Sequence, residues 1–319
     1  MRYRSIDMLR GLAATAVVLA HVNPRFSLGA IGVDIFFVVS GFVMAHVSRQ
    51  RTPRQFLEDR AWRIYPLYWA VAVPWILLAF SAGAIAPLLA LNSVLLWPAW
   101  FGADSSFIGV SWTLVYELGF YLSVAAAMRL KSPIVPLLLF GLALLARPFT
   151  DNALVAFAGH PIAIEFLFGV AIALAPKKDG IGRGALALGA LWLLLFPNAH
   201  LHDFLRNPGE AYALQRLALW GIPSALIVFG LVCQEGKLDR PWTRLPLLLG
   251  AASYSIYLVH SLVTALVDLP WPVEFALALA AGLILWRLVE RPILANRRRK
   301  RRNARPDEAT PLPLQPEIA

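Results

Sequence analysis

Apolar runs recur from one end of this chain to the other, most of them 17 residues or longer. A bilayer's hydrocarbon core is about 30 Å thick and takes about 20 residues of helix to cross. No water reaches an unpaired backbone group there, so a spanning helix must satisfy its own hydrogen bonds. Read in order, the runs place spans at 5–22, 32–48, 64–82, 111–128, 133–148, 160–175, 184–197, 215–233, 246–266 and 272–290. The expected fold class is all-α: a polytopic membrane protein with about ten transmembrane helices.

Composition supports this and narrows the alternatives. The chain is 59% hydrophobic and only 15% charged, against about 25% charged in soluble chains. The polar loops are too short to hold a soluble domain. A single cysteine, Cys233, excludes an intramolecular disulfide and a cysteine-built zinc site, and no HExxH motif is present, so no metal is expected. A net charge of +10 would point to nucleic acid in a soluble protein. Here the basic residues flank apolar spans, so the expected surface is the membrane and no nucleic acid. The opening MRYR with GLAATAVVLA has the order of a signal peptide. Arg10 inside the apolar stretch and a second span directly after it favour a first span.

The positive-inside rule sets the orientation. With ten spans and both termini cytoplasmic, most of the 29 Lys and Arg fall on the inner side. Arg25, Arg147, Arg206 and Arg216 fall outside. Counting 84–100 as a further span would invert everything after it. That stretch, with Pro87, Pro98 and two Trp, is expected as a helix at the outer face. The inner loop 49–63 carries Arg60 and Arg63 at i, i+3, one face of a helix, with Pro66 in the first turn of the third span. This face suits lipid headgroups or a phosphorylated donor. Residues 1–293 are expected as one membrane domain and 294–319 as a polybasic, disordered cytoplasmic tail that attracts anionic lipids.

The segment 5–42 concentrates what a membrane helix normally excludes. Arg10 and His21 lie eleven positions apart on one helix, about 16 Å and close to three full turns, so they share a face. Intramembrane ionisable groups are costly, by about 2.5–3.5 kcal/mol for Arg or Asp at a helix centre, and usually mark a site. Depth counting brings Asp34, Glu117, Glu165 and His260 to the level of His21 in the outer half of the membrane. Each has a plainer reading: Asp34 as a helix cap, Glu165 and His260 as packing hydrogen bonders, His21 as an interfacial residue. His46, His160, His200 and His202 read as loop or edge residues. A histidine supported by a carboxylate suits general-base work. A distant arginine suits the anionic end of a long donor such as coenzyme A. A proton-coupled transporter or exporter would use the same residue types.

RGLAATAVVLAH resembles the Arg-then-ten-residues-then-His signature of the acyltransferase-3 family of integral-membrane acyltransferases. GVDIFFVVSGF, RAWRIYPLYW, SWTLVYELGFYL, GAASYSIYLVH and VERP resemble its other blocks, in order, over residues 4 to 293. The look is that of the short members linked to exopolysaccharide production. The resemblance implies O-acylation, usually O-acetylation, of a cell-surface glycan, with acetyl-CoA as donor substrate and no permanently bound cofactor. It implies an inner-membrane enzyme whose partners are acyl-CoA, a lipid-linked or polymeric glycan, membrane lipids and other polysaccharide-assembly proteins. It makes Arg10 and His21 essential, supported by Glu117 and the Arg60–Arg63 loop. Asp34 joins His21 and Glu117 as a catalytic candidate, and Glu165, Tyr254 and His260 as supporting ones. In contrast to larger members, no fused extracytoplasmic hydrolase-like domain is expected after the last span.

Overall fold

A computed structural model describes residues 3–97, 109–196 and 210–304. Pro98, Trp100, His200, His202, Arg206 and the tail beyond 304 lie outside the described residues. The described chain is helical, without a strand. Helix α1 (Arg4–Val22) leads through a 3₁₀ segment (Pro24–Ile31) into α2 (Gly32–Val47). Then follow α3 (Pro53–Ser81), α4 (Pro87–Leu95), α5 (Trp112–Leu130), α6 (Val135–Ala146), α7 (Ala153–Ala158), α8 (Ile164–Leu174) and α9 (Asp179–Leu195). The last group is α10 (Glu210–Arg216), α11 (Ile222–Cys233), α12 (Arg244–Ala251), α13 (Ser253–Leu266), α14 (Trp271–Leu285) and α15 (Arg291–Ala304). Two π turns, Leu217–Gly221 and Trp286–Glu290, join α10 to α11 and α14 to α15.

Every expected span falls on helix, but length separates them. Six described helical stretches are long and apolar enough to cross a membrane, seven if Pro241–Ala251 and Ser253–Leu266, bent by 64°, form one broken span. The runs 133–148 and 160–175 fall on the shorter apolar helices Val135–Phe149 and Pro161–Leu174, and 184–197 on the 17-residue α9. At 1.5 Å per residue these run about 21–26 Å, at or below the short end for a crossing helix. The structure thus supports a polytopic helical protein with fewer full-length spans than apolarity alone counts. Apolarity marks what lipid or core can cover; it does not mark where 3₁₀ turns and prolines break the helix.

Two local readings change. The segment 49–63 is not a separate loop before the third span. Thr52 and Gln55 form a capping box, Pro53 occupies the first helical position, and one 29-residue helix runs through to Ser81. Pro66 is therefore inside α3 rather than in its first turn, and Arg60 and Arg63 ride on a continuous helix. The stretch expected at the outer face contains the nine-residue α4, too short to cross. Its last carbonyls are satisfied from α3: Tyr65 Oη donates to Leu95 O at 2.9 Å, Tyr68 Oη to Ser93 O at 2.7 Å and Trp69 Nε1 to Val94 O at 3.0 Å.

Helix α1 sits inside the bundle, touching α2, α11, α12, α13 and α14, with Ala14, Val17 and Val18 fully buried. Close crossings use glycine. A Cβ on Gly250 of α12 would lie 1.9 Å from Asp7 O of α1, and one on Gly11 2.3 Å from Pro246 O. Gly41 of α2 and Gly169 of α8 make a second such crossing, with Phe166 O 1.9 Å and Val38 O 2.0 Å away. Small residues that let backbones touch are how helices pack where no hydrophobic gradient drives them together. These crossings hold α1 and α2 in the register that places the site.

Candidate active site

A cavity of about 120 Å³ opens among α1, α2, α3, α5 and α13. Its charged lining is Arg10, Arg60, Arg63 and Glu117, joined by Ser40, Tyr121, Tyr254 and Tyr257. Glu117 accepts from Ser40 Oγ at 3.2 Å and from the Tyr121 hydroxyl. The Arg60 guanidinium lies 6.0 Å from the Tyr121 ring centroid, and that of Arg63 lies 5.5 Å from the Tyr254 ring. Tyr254 is fixed in turn, its hydroxyl donating to Ile64 O at 2.9 Å. Arg63 pairs with buried Glu290. Arg10 and Arg60 have no carboxylate within ion-pair distance among the described residues, and Arg60 Nε is buried without a hydrogen bond. The cavity wall therefore carries uncompensated positive charge.

His21 lies elsewhere, on the last turn of α1. Its Nδ1 is 2.8 Å from Val17 O. A carbonyl only accepts, so Nδ1 is the donor in this contact. The ring meets His260 of α13 edge to face, centroids 4.8 Å apart. His260 is fully buried, and neither of its ring nitrogens makes a well-formed hydrogen bond among the described residues.

The five groups expected at one level separate into three places. His21 and His260 come together. Glu117 joins the arginine cavity instead: it is level with Ser40, six residues further along α2 than Asp34, or about 9 Å deeper. Counting from span ends assumed that α2 and α5 begin together, and they do not. Asp34 faces neither histidine. Its Oδ2 and Oδ1 accept from Arg216 Nη2 at 2.7 Å and Nε at 3.1 Å, with both side chains buried. Arg216, placed by the sequence on the outer side at the start of the 215–233 span, is thus a buried partner lying 4.9 Å from the Trp220 ring. Glu165 is fully buried beside this pair, its oxygens making no well-formed hydrogen bond among the described residues and Oε1 lying close to Gly221. His160, expected at an edge, is buried and caps a turn by accepting from Ile162 N at 3.2 Å. His46 stays at the end of α2, its Nδ1 2.9 Å from Phe42 O.

Sequence reasoning missed Ser40, Tyr121 and Glu290. Glu290 had a signal, a carboxylate closing an apolar run within VERP, but its partner Arg63 is 227 positions away.

Residues 3–291 match the family model described as an acyltransferase domain. The chain belongs to the acyltransferase-3 family. Among curated relatives, the exopolysaccharide production protein ExoZ of Rhizobium meliloti is 30% identical, over 87% of this chain and 93% of its own. The acyltransferase MdmB of Streptomyces mycarofaciens is 26% identical over 97% and 96%. The peptidoglycan O-acetyltransferase OatA of Listeria monocytogenes is 26% identical over 92% of this chain but only 56% of its own. No solved structure matches. As an acyltransferase-3 protein with helices long enough to span a bilayer, the chain is a multi-pass membrane acyltransferase of the non-aminoacyl class.

Proposed function

We propose that this enzyme transfers an acetyl group from acetyl-CoA to a hydroxyl of a bacterial exopolysaccharide or other surface glycan, carried as a lipid-linked or polymeric acceptor, in the inner membrane with both termini cytoplasmic. The observation that carries the reading is a pair of sites on one helix. Arg10, with Arg60 and Arg63, lines a positively charged cavity, and His21 lies about 16 Å further along α1, its Nδ1 held by the Val17 carbonyl. Coenzyme A has anionic phosphates at one end and the thioester at the other. The cavity is far below the ~300–1,000 Å³ of sites that enclose drug-sized ligands, so it suits the phosphate end alone. Guanidinium forks match phosphate oxygens.

In this reading His21 Nε2 takes the proton of the acceptor hydroxyl as its oxygen attacks the thioester carbonyl. The carbon–sulfur bond then breaks, and the proton passes from the imidazolium to the departing thiolate. The Val17 carbonyl supports the imidazolium through Nδ1–H, and His260 holds the ring edge-on. A placed base contributes about 10²–10⁴-fold. His21→Ala should lose most transfer while keeping membrane insertion and coenzyme A binding. Wild-type transfer by that variant would refute the assignment. Protein labelled by radioactive acetyl-CoA without acceptor, but not in His21→Ala, would instead make His21 a covalent relay. Mass spectrometry of polysaccharide from a deletion strain separates transfer from export: lost O-acetyl with normal polymer yield supports transfer, lost polymer with acetylation intact supports an exporter.

A further inference from the structure

The three cavity arginines are not equivalent. Arg10 and Arg60 line the cavity without an ion pair among the described residues, whereas Arg63 Nη1 is bound to Glu290 Oε1. Glu290 is only 2% exposed and does not line the cavity; it stands behind Arg63. Its second oxygen, Oε2, accepts from Ser255 Oγ at 2.5 Å. The Arg63 guanidinium thus has one edge on a carboxylate that is itself held and one face toward Tyr254. A guanidinium has five N–H donors in a fixed fork, so one ion pair leaves several for a ligand.

The backbone is shaped to deliver this carboxylate. Twelve positions separate Glu290 from Ala278, which is fully buried on α14. On an uninterrupted helix the two would point about 120° apart. The π turn Trp286–Glu290 takes up one extra residue, which reduces the offset to about 20°. Without that wide turn Glu290 would leave the buried face of the helix that carries Ala278. π turns of this kind cost helix geometry and occur often at functional sites.

We infer that Glu290 is a positioning residue for donor binding: it orients the Arg63 guanidinium, backed by Ser255 and the π turn, so that its remaining N–H groups meet the donor's phosphate. The inference rests on the acetyl-CoA reading above. It makes the carboxylate favourable to an anionic ligand despite its own negative charge, because what it contributes is geometry.

The test uses the full-length enzyme in lipid nanodiscs, with acetyl-CoA titrated against a saturating acceptor and thermal stability measured on the same preparations. Glu290→Gln should raise the KM for acetyl-CoA about tenfold, the equivalent of one charge-assisted hydrogen bond, and leave kcat within about twofold of the parent. Arg63→Gln should do the same, and the double variant should be no worse than Arg63→Gln alone. Ser255→Ala keeps the ion pair and should give a smaller shift in the same direction, which preserves the test if Glu290→Gln does not fold. An unchanged or lowered KM in Glu290→Gln, or additive losses in the double variant, would overturn the inference. Lowered stability with an unchanged KM would reduce Glu290 to a structural tie. If Arg10→Gln and Arg60→Gln also leave the KM unchanged, the donor reading itself falls.

Discussion

Replacing Asp34 by Asn should destabilise the folded protein more than any loss of a surface ion pair could. The pair it breaks is bidentate, with oxygens 2.7 and 3.1 Å from Arg216, and the two side chains are 0% and 3% exposed. Exposed pairs contribute about 0–1 kcal/mol because water already solvates both ions. Here neither ion is solvated, and removing one partner leaves an uncompensated guanidinium, which costs about 3–5 kcal/mol. Beside it sits the Glu165 carboxyl, which could take up part of the orphaned charge and bring the loss to the lower end of that range. Replacing both partners by apolar residues of similar volume, Asp34→Leu with Arg216→Met, should recover most of the loss, since the desolvation penalty then goes with the pair. The assay is equilibrium unfolding in mixed micelles, read by helical circular dichroism, with acetyl transfer measured on the folded fraction. A loss below about 1 kcal/mol for Asp34→Asn, together with abolished transfer, would refute the argument and return Asp34 to the catalytic group.

Two further outcomes follow from packing and orientation. Gly250→Val would place its Cβ 1.9 Å from Asp7 O and should prevent α12 from seating on α1, so folded yield should collapse, whereas Gly180→Ala, with nothing within 4 Å, should be neutral or stabilising by about 0.5–1 kcal/mol; expression with size-exclusion profiles reads both. For a cytoplasmic N-terminus and alternating spans, alkaline phosphatase fused at residue 205 should be active and at residue 180 inactive, and high activity at 180 would overturn the orientation.

Much of the site was legible because its chemistry is local. Arg10 and His21 share one helix, so 3.6 residues per turn relates them without any tertiary information. Arg60 and Arg63 are likewise one turn apart, and the structure keeps both on the cavity. Asp34 shows where local reading stops. A carboxylate in the first turn of a helix has an obvious local explanation, while its actual partner is 182 positions away on the other half of the chain. The pairing of Arg216 was hidden for the same reason: proximity to a span end is a one-dimensional quantity, and the helix continues past it through a π turn.

Composition and apolar runs by themselves determined an all-helical membrane protein, because lipid leaves the backbone no other way to pair its polar groups. The ordered motifs determined the family, and the Arg10–His21 spacing put those two residues on one helix about 16 Å apart. Tertiary structure decided that Glu117 belongs with the arginines, that Asp34 belongs with Arg216, and that His21 meets His260. Those outcomes depend on the relative offset and rotation of helices, which are set where backbones touch at Gly11 and Gly250 and at Gly41 and Gly169. A hydropathy pattern holds no term for the offset between two helices; close packing of particular side chains against particular backbones does.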